Sequence, residues 1–359
     1  MCSSDLSEYA PDDNYAKILK VQDIDDPKPK ADEVVFEVKS AALNYNDIWG
    51  MRGVPVPVPL PHVSGSDAAG DVIAVGDDVK NIKVGDKVVS HSNMSCRVCK
   101  ACTDGREFDC IKRTIWGFQT GPNWGAFQEV THLPEVNVSK IPEGLSYDQA
   151  AAASMTILTS WHMLVGRAKI TPGQTVLIMG GGSGVGSFGI QIAKLYNCDV
   201  IATASPDKLD KCLELGADFA VDHRKDDWHK EVRAISKELA KKKGEAPGID
   251  LSFDHIGETH WNKQLQLLKY GATLVSCGAT TGYNAQTDLR HVFFKGTNIL
   301  GSTQGTKAEL DQALYWMGQG KIKAAIDSTY TFEQAAEAHT KMLTGKGMFG
   351  KILMKPEGA

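Results

Sequence analysis

The stretch TVLIMGGGSGVGSFGIQIAKL, from Thr175 to Leu195, decides how the second half of this chain folds. A short apolar run leads into a cluster of glycines, and a run with helical spacing follows them. This order is typical of a buried strand, a tight turn and a helix. Glycines let the backbone approach a pyrophosphate closely, and a helix N-terminus offers free N–H groups and the positive end of its dipole. The stretch therefore predicts a dinucleotide-binding unit.

Several glycines of this stretch compete for the role of phosphate contact. A strict G-x-G-x-x-G match at Gly184, Gly186 and Gly189 extends too far into the helix. The earlier glycines fit the turn better, and the strand and helix context disfavours the alternative of a turn without a ligand. The predicted cofactor contacts are Gly181, Gly182, Ser183, Gly184, Val185 and Gly186, together with Gly278 after a later strand.

The residues on either side of this turn follow two different patterns. Before about residue 150, short strand-like runs are broken by Gly, Pro and Asp, which is typical of a β-rich domain. From DVIATA at residues 199–204 to ATLVSCGA at residues 272–279, strand-like and helical runs alternate. This alternation predicts parallel βαβ units in a doubly wound sheet, so we predict an α/β protein.

The end of the second strand of that sheet indicates which nicotinamide cofactor binds. NAD sites usually carry Asp or Glu there, to hold the ribose 2′-hydroxyl. The corresponding residues here are Thr203, Ala204 and Ser205, without an acid. We therefore predict NADPH, with its 2′-phosphate held by Ser205, Lys208 and Arg224. The alternative for Lys208 and Arg224 is a pair of solvated surface cations.

Four of the eight cysteines form a compact motif, C-x2-C-x2-C-x7-C. Four thiolates suit one tetrahedral Zn²⁺ with no open position, which is a structural rather than a catalytic site. The alternatives are an iron–sulfur centre or four reduced thiols in a loop. We predict one structural zinc ion in a lobe of about residues 91–115, held by Cys96, Cys99, Cys102 and Cys110.

The overall composition excludes several classes of function. The 359 residues carry a formal net charge of −5, which offers no basic field for nucleic acid or anionic lipid. No apolar run approaches the roughly 20 residues that a membrane helix needs. The N-terminus is polar and acidic, unlike a secretory signal. We therefore expect a cytoplasmic protein with no nucleic-acid or membrane partner.

These features together resemble the medium-chain dehydrogenase/reductase superfamily. The resemblance is carried by the glycine turn, the cysteine lobe and the segments GSDAAGDVIAVG, VGDKV, KLDKCLELGAD and GKGMFGKILM. It implies a GroES-like, β-rich catalytic domain (residues 1–152 and 303–359) that is split by an inserted Rossmann domain (residues 153–302). It also implies a homodimer or homotetramer, since family relatives pair through the strand near residues 298–302.

The resemblance also indicates that a second, catalytic zinc is missing. The family's alcohol dehydrogenases hold that ion with a Cys, a His and a further Cys or His. The corresponding positions here are Asn44, Ser66 and Met155. An amide, a hydroxyl and a thioether are not a workable set of Zn²⁺ ligands. Chemistry that needs only hydride delivery and enolate stabilisation remains possible.

Within the superfamily, LNYNDIWG, PHVSGSDAAG, IWGFQT and GAFQEV resemble crotonyl-CoA carboxylase/reductase and the archaeal acryloyl- and enoyl-CoA reductases. In carboxylating members the resemblance implies that an Asn, a Phe-Glu pair and a His hold CO2. This chain keeps Asn44 and Phe118 but has Gln119 for the Glu and Thr303 for the His. A neutral amide cannot act as an acid–base group. We therefore expect NADPH-dependent reduction of a short 2-enoyl-CoA, such as acryloyl-CoA or crotonyl-CoA, with little or no carboxylation.

The sequence indicates less clearly which group gives the α-carbon its proton. A water held by Asn44, Gln119 and Thr303 is the first candidate, and His62 is the second, with a structural histidine as its alternative. Lys295 could contact a CoA phosphate, although a solvated lysine is its default reading. Three other functions stay open: a crotonyl-CoA carboxylase/reductase, an NADPH quinone oxidoreductase, and a non-catalytic NADPH-binding protein.

Overall fold

The computed structural model describes residues 2–6, 8–9, 13–14, 18–55 and 57–358 of the chain. The chain divides into two units: one comprises Met1–Leu158 with Gly305–Ala359, and the other comprises Thr159–Gln304. The chain thus crosses between units after residues 158 and 304, where the sequence predicted crossings after residues 152 and 302. Within the described residues, no helix is both long enough and apolar enough to cross a bilayer.

The first passage through unit one is rich in short strands. Its strands are β1 (Cys2–Leu6), β2 (Leu19–Asp23), β3 (Glu33–Ala42), β4 (His62–Val63), β5 (Asp67–Val75), β6 (Lys87–Ser90), β7 (Asn93–Met94), β8 (Thr114–Ile115), β9 (Val130–Pro134) and β10 (Val138–Lys140). Helix α1 (Tyr45–Arg52) follows β3, helix α2 (Lys100–Thr103) lies between β7 and β8, and helix α3 (Tyr147–Trp161) contains the crossing into the second unit.

Strands and helices alternate through unit two. A π-helical turn, His162–Arg167, is followed by β11 (Thr175–Ile178), α4 (Gly184–Leu195), β12 (Asp199–Ala204), α5 (Leu209–Glu214), β13 (Phe219–Asp222), α6 (Trp228–Lys243), β14 (Ile249–Asp254), α7 (Trp261–Leu267), β15 (Leu268–Ser276), α8 (Leu289–Lys295) and β16 (Asn298–Gly301). The chain then returns to unit one with α9 (Lys307–Gly318), β17 (Ile326–Thr331), α10 (Ala335–Thr344) and β18 (Lys351–Lys355).

The sheet of unit two is parallel throughout, in the order β13-β12-β11-β14-β15-β16. The chain enters at β11, runs outward to β13 and then crosses back to β14. The strand order therefore reverses between β11 and β14, and ligands of such sheets bind at the carboxyl edge near that reversal. The predicted doubly wound parallel sheet is confirmed. Strand β16 is an edge strand, and the oligomeric state predicted from it stays a prediction.

The main sheet of unit one is completed by the end of the chain. Its order is β10-β6-β5-β3-β18-β17, with β9 also paired to β3. Strand β18 lies antiparallel to β3, with Leu353 opposite Ala42 and Met354 opposite Ala41. Large buried side chains such as Phe36, Trp116 and Phe332 fill the core of this unit. The predicted β-rich domain, split by an inserted parallel-sheet domain, is confirmed.

A buried histidine makes the stability of unit one sensitive to acid. His339 on α10 is 0% exposed, and its Nδ1 lies 2.6 Å from the carbonyl oxygen of Ala335, to which a neutral imidazole donates. Burial lowers the pKa of His339 from 6.5 to about 4. Between these two values the unfolded chain binds more protons than the folded one, so the free energy of unfolding falls as the pH falls.

From pH 7 to pH 5, the free energy of unfolding should fall by about 2 kcal/mol less in His339→Gln than in the unsubstituted protein, because glutamine does not titrate. Urea unfolding of both proteins at the two pH values measures this difference. The comparison at pH 7 gives the cost of the lost packing separately. Equal losses in both proteins between pH 7 and pH 5 would contradict the assignment.

Candidate active site

The glycine turn of unit two has the geometry of a phosphate-binding turn. Ser183 caps α4, and its Oγ accepts a hydrogen bond of 2.8 Å from the N–H of Gly186. A Cβ on Gly186 would collide with the carbonyl oxygen of Gly180, so only glycine fits there. Gly180 itself has φ +63°, in the left-handed region. A Cβ-free backbone at the start of a 12-residue helix is a cradle that fits a dinucleotide pyrophosphate.

Two residues near this turn were not predicted. Nε2 of His255, one residue after β14, lies 3.0 Å from Oγ of Ser183. Thr203 at the end of β12 holds the turn from the other side: its Oγ1 accepts from Gly180 N at 3.2 Å and its carbonyl from Gly181 N at 2.8 Å. Gly180 was not predicted either, although it is the first of three consecutive glycines; His255 is distant in sequence from the turn.

The predicted 2′-phosphate residues lie at the carboxyl edge of the same sheet. Strands β12 and β13 are neighbours, with Ala204 opposite Asp222, so Ser205 and Arg224 follow adjacent strand ends. Two acids lie close by: Asp222, whose Oδ1 accepts from the backbone N–H of Arg224 at 3.0 Å, and Asp207, whose pKa is lowered by a hydrogen bond from Ser205 and which lies 3.6 Å from the Arg224 guanidinium. An NAD-type acid would be expected at the end of β12, at about Ala204, whereas Asp207 lies three residues beyond that end. The Arg224 guanidinium thus already faces a carboxylate, and contacts of Ser205, Lys208 and Arg224 with a 2′-phosphate stay a prediction.

Gly278 has a structural reason to be glycine. It lies two residues after β15, and a Cβ there would come within 2.9 Å of the carbonyl oxygen of His255. The missing side chain at this position therefore lets the segments that follow β14 and β15 lie close together. A cofactor contact by Gly278 stays a prediction.

The four predicted zinc ligands converge in unit one. Their ligand atoms all lie within 4.8 Å of one another, and the sulfurs of Cys96 and Cys110 are 3.5 Å apart, those of Cys99 and Cys102 3.6 Å apart. A tetrahedral ion at ~2.3 Å from each sulfur requires sulfur–sulfur distances of about 3.8 Å. Within the described part of the chain this is the one group of three or more candidate metal-ligating side chains. The spacing fits a single Zn²⁺.

Two of the four thiols have a lowered pKa, whereas burial raises the pKa of Cys102 to about 11. Hydrogen bonds from the backbone N–H groups of Val98 and Cys99 lower the pKa of Cys96 to about 6, and one from the Cys102 N–H lowers that of Cys99. The lobe has little core of its own, since Val98 and Ile111 are 80% and 86% exposed. A metal ion would therefore supply much of the energy that orders the lobe.

The positions that would hold a catalytic zinc contain a buried hydrogen-bond network instead. Asn44 Nδ2 donates to Asp67 Oδ2 at 2.9 Å, and Asn44 Oδ1 accepts from Lys351 Nζ at 2.7 Å. The backbone N–H of Met155 donates to Asp67 Oδ1 at 3.0 Å. Two of the three replaced positions, Asn44 and Met155, thus meet at Asp67, and Ser66 is its neighbour in sequence. Met155 Sδ is used separately, as an acceptor from the amide of Asn46 at 3.6 Å.

Asp47 ties this network to α1. Its Oδ2 accepts from the backbone N–H of Asn44 at 2.8 Å, and its Oδ1 from that of Gly65 at 3.1 Å. Burial raises the pKa of Asp47 to about 7. The roles of Asp47, Asp67 and Lys351 were not predicted, although Asp67 and Lys351 lie in segments, GSD and GKILM, that carry the family resemblance.

Phe118 and Gln119 belong to a turn that packs beside this network. Gln119 Oε1 accepts from the backbone N–H of Ile115 at 3.0 Å, which leaves its amide NH2 as the donor end. A Cβ on Gly117 would collide with the carbonyl of Gly65, so the turn lies directly against the residue before Ser66. Phe118 is buried beside Gly50 of α1, where a Cβ would be 3.5 Å from its ring.

Thr303 stands apart from the other predicted catalytic residues. It lies in unit two, two residues after β16, whereas Asn44, Phe118, Gln119 and His62 all lie in unit one. Its part in the site stays a prediction.

His62 is placed as a structural residue. Its Nε2 lies 3.1 Å from the carbonyl oxygen of Gly117, to which it donates, and burial lowers its pKa to about 4. A neutral imidazole with its one N–H committed to a backbone carbonyl has no proton to offer a substrate. This geometry favours the structural alternative for His62.

Lys295 is half-buried, and its ammonium group is used within the fold. Its Nζ donates to three backbone carbonyls at the end of α7: Leu265 at 3.3 Å, Gln266 at 3.1 Å and Leu268 at 2.9 Å. Lys295 therefore caps that helix, a role that neither sequence-based reading of this residue included.

Family models match both units. The zinc-binding dehydrogenase model matches residues 184–319, and the alcohol dehydrogenase GroES-like domain model matches residues 30–143. The chain is 31% identical over 349 residues to crotonyl-CoA carboxylase/reductase of Cereibacter sphaeroides, covering 90% of this chain and 80% of that protein. It is 29% identical over 341 residues to acryloyl-coenzyme A reductase of Sulfurisphaera tokodaii, covering 94% of this chain and 96% of that protein.

Solved structures show the same fold. An NAD-dependent alcohol dehydrogenase superposes with a TM-score of 0.91 at 36% identity, covering 99% of both chains. The 2-octenoyl-CoA carboxylase reductase CinF, in complex with NADP and 2-octenoyl-CoA, superposes with a TM-score of 0.88 at 25% identity, covering 99% of this chain and 87% of that one.

Proposed function

The chain belongs to the medium-chain dehydrogenase/reductase superfamily, and from this membership we propose that it reduces short 2-enoyl-CoA thioesters with NADPH. The proposed substrates are acryloyl-CoA and crotonyl-CoA, and little or no carboxylation accompanies their reduction. Relatives named for enoyl-CoA reduction, with and without carboxylation, support the substrate class. The CinF complex supports both NADP and an acyl-CoA.

The observation that carries the proposal is the network around Asn44. Asn44, Ser66 and Met155 replace the ligands of the catalytic zinc, and Asn44 is already bonded to Asp67 and Lys351. Hydride transfer to a simple ketone is hard without a Lewis acid on its oxygen, and an amide, a hydroxyl and a thioether do not hold one. An α,β-unsaturated thioester requires only donors for its enolate oxygen. This difference also argues against the activity for which one solved neighbour, an NAD-dependent alcohol dehydrogenase of 36% identity, is named.

The residues of the chain then have the following roles. The turn at Gly181–Gly186 would hold the pyrophosphate of NADPH, and Ser205, Lys208 and Arg224 its 2′-phosphate. When bound, the cofactor supplies a hydride for the β-carbon of the substrate. Unit one supplies the amide donor of Asn44 for the thioester oxygen. The half-buried Gln119 amide would hold a water that protonates the α-carbon, with Phe118 excluding bulk water from one side.

One assay tests the proposal. NADPH oxidation is followed with acryloyl-CoA, crotonyl-CoA and a benzoquinone, with and without bicarbonate, and product masses are measured. We expect a saturated acyl-CoA that has gained two hydrogens, in both conditions, and little quinone turnover. A product that has gained a carboxylate would favour the carboxylase/reductase alternative. Turnover of the quinone alone would favour an NADPH quinone oxidoreductase. Tight NADPH binding without any turnover would favour a non-catalytic NADPH-binding protein.

Restoring the carboxylating residues should restore carboxylation. The double variant Gln119→Glu, Thr303→His is expected to raise the carboxylated fraction of product at least ~10-fold under bicarbonate, because an acid–base group then faces the site. Mass spectrometry of the acyl-CoA products measures the fraction. The matched control, Gln119→Ala with Thr303→Ala, changes the same positions without adding an ionisable group and should stay at the original level. An unchanged fraction in the double variant would contradict the assignment of these two positions.

A further inference from the structure

We infer that Lys351 is a positioning residue, which, together with Asp67, fixes the side-chain amide of Asn44 with an N–H donor available to the substrate. This inference rests on the proposed function, since Asn44 is the donor proposed for the thioester oxygen. Lys351 itself touches no reacting atom in this scheme.

Lys351 is a buried ammonium with all its hydrogens used. The residue is 3% exposed, and its Nζ donates to the carbonyl oxygen of Leu43 at 2.6 Å, to Asn44 Oδ1 at 2.7 Å and to Asp67 Oδ2 at 3.1 Å. An ammonium group has three hydrogens, and each has an acceptor here. A charge is retained in such a place only when its partners are this complete.

Asp67 holds the amide from the opposite end. It is 0% exposed, its Oδ1 accepts from the backbone N–H of Met155, and its Oδ2 accepts from both Asn44 Nδ2 and Lys351. The two ends of the Asn44 amide therefore face an ammonium and a carboxylate. Rotating the amide by half a turn would place its NH2 against the ammonium and its oxygen against the carboxylate, which turns two charge-assisted bonds into two repulsive contacts.

We call the contacts of the Asn44 amide with Lys351 and Asp67 the lock. The lock determines which hydrogen-bonding group Asn44 presents to the substrate. One hydrogen of Nδ2 is given to Asp67, and the other is the donor that we assign to the thioester oxygen. As the hydride adds to the β-carbon, the π pair of the C=C bond forms a new double bond between the α-carbon and the carbonyl carbon, and the C=O π pair moves to this oxygen, which gives an enolate. When the α-carbon takes a proton from water, the C=O bond forms again and hydroxide is released. A fixed N–H donor stabilises the enolate, whereas an amide oxygen turned toward it would repel it.

A double-mutant cycle tests this role. We expect Asn44→Ala and Lys351→Met each to lower kcat for crotonyl-CoA by about 100-fold, with the Kd for NADPH unchanged. In the Asn44→Ala background, Lys351→Met should cost less than about threefold more, because the group on which it acts is gone. If the two losses multiply instead, Lys351 acts independently of Asn44 and the inference is overturned.

Two further variants control for folding. Lys295→Met removes a half-buried ammonium group that donates to three backbone carbonyls and has no contact with Asn44. It therefore measures the effect of losing an ammonium with three acceptors elsewhere in the chain. It should lower stability and leave kcat unchanged. Should Lys351→Met fail to fold, Asp67→Asn with Lys351→Met removes both charges together. This pair should reproduce the loss of kcat, and a wild-type kcat in it would overturn the inference.

A spectroscopic measurement separates this inference from the proposed function. In protein labelled with [15N]asparagine, the Asn44 side-chain amide, assigned by its absence in Asn44→Ala, should show two inequivalent hydrogens that exchange slowly. Lys351→Met should shift these signals and speed their exchange, whatever reaction the enzyme performs. If the unsubstituted protein does not reduce enoyl-CoA, the proposed function fails and this measurement still tests the lock. An unchanged amide spectrum would overturn the lock itself.

Discussion

Replacing Gly186 with alanine is expected to raise the Kd for NADPH at least ~100-fold, a loss of roughly 2.7 kcal/mol. The added Cβ would collide with the carbonyl oxygen of Gly180. Both groups belong to the backbone, so neither can rotate away, and the first turn of α4 has to move off the turn that precedes it. The N–H groups that would face the pyrophosphate then lose their alignment.

Gly189→Ala is the matched control for this substitution. Its Cβ would lie 3.3 Å from the Phe253 ring and 3.4 Å from Ile178, and side-chain contacts of this kind can relax. We expect its Kd for NADPH to change by less than about threefold, with a modest cost in stability. Titration of NADPH fluorescence gives both constants, and circular dichroism checks that both variants fold. If Gly189→Ala weakens binding as much as Gly186→Ala, the strict G-x-G-x-x-G reading is correct and the geometric one is not.

Purified protein should contain one zinc ion per chain, and Cys96→Ser should lose it. Metal binding to four thiolates supplies about 10–16 kcal/mol in small zinc-binding peptides, and the exposed lobe has little else to order it. We therefore expect residues 91–115 to become the first site of proteolysis in Cys96→Ser. Elemental analysis measures the zinc, and mass spectrometry of limited digests locates the cleavage.

Cys198→Ser is the control, because Cys198 is buried in unit two, where its thiol donates to the carbonyl of Thr171 at 3.4 Å. It should keep its zinc and its resistance to proteolysis. Two zinc ions per unsubstituted chain would contradict the conclusion that Asn44, Ser66 and Met155 hold none. Iron in place of zinc would favour the iron–sulfur alternative.

The features that the sequence predicted correctly are those formed by neighbouring residues. The strand, turn and helix from Thr175 to Leu195 are one contiguous pattern, and so is the cysteine motif, whose four sulfurs lie within 15 residues. Periodicity and glycine spacing therefore sufficed for the parallel sheet. The resemblance to a family added the split of the first domain, which no local pattern in this chain could reveal.

The network around Asn44 escaped prediction because it joins distant residues. Lys351 lies 307 positions from Asn44 and 284 from Asp67. The residues next to Lys351 in β18 do not indicate that its ammonium group has three acceptors in the folded chain. The same holds for Lys295, whose acceptors lie 27–30 residues earlier. A basic side chain reads as solvated in a sequence, and only the fold reveals that its charge is enclosed.

The pairing of β18 with β3 has a consequence for how the protein is made. During synthesis the chain emerges from its N-terminus, and domains generally fold as units as they appear. All six strands of the parallel sheet come from one uninterrupted segment, Thr159–Gln304, which can close its core while the rest is still being translated. The β-rich unit must wait: its central sheet lacks an inner strand until residues 351–355 leave the ribosome. The site around Asn44 therefore assembles last, when its lysine arrives with that strand.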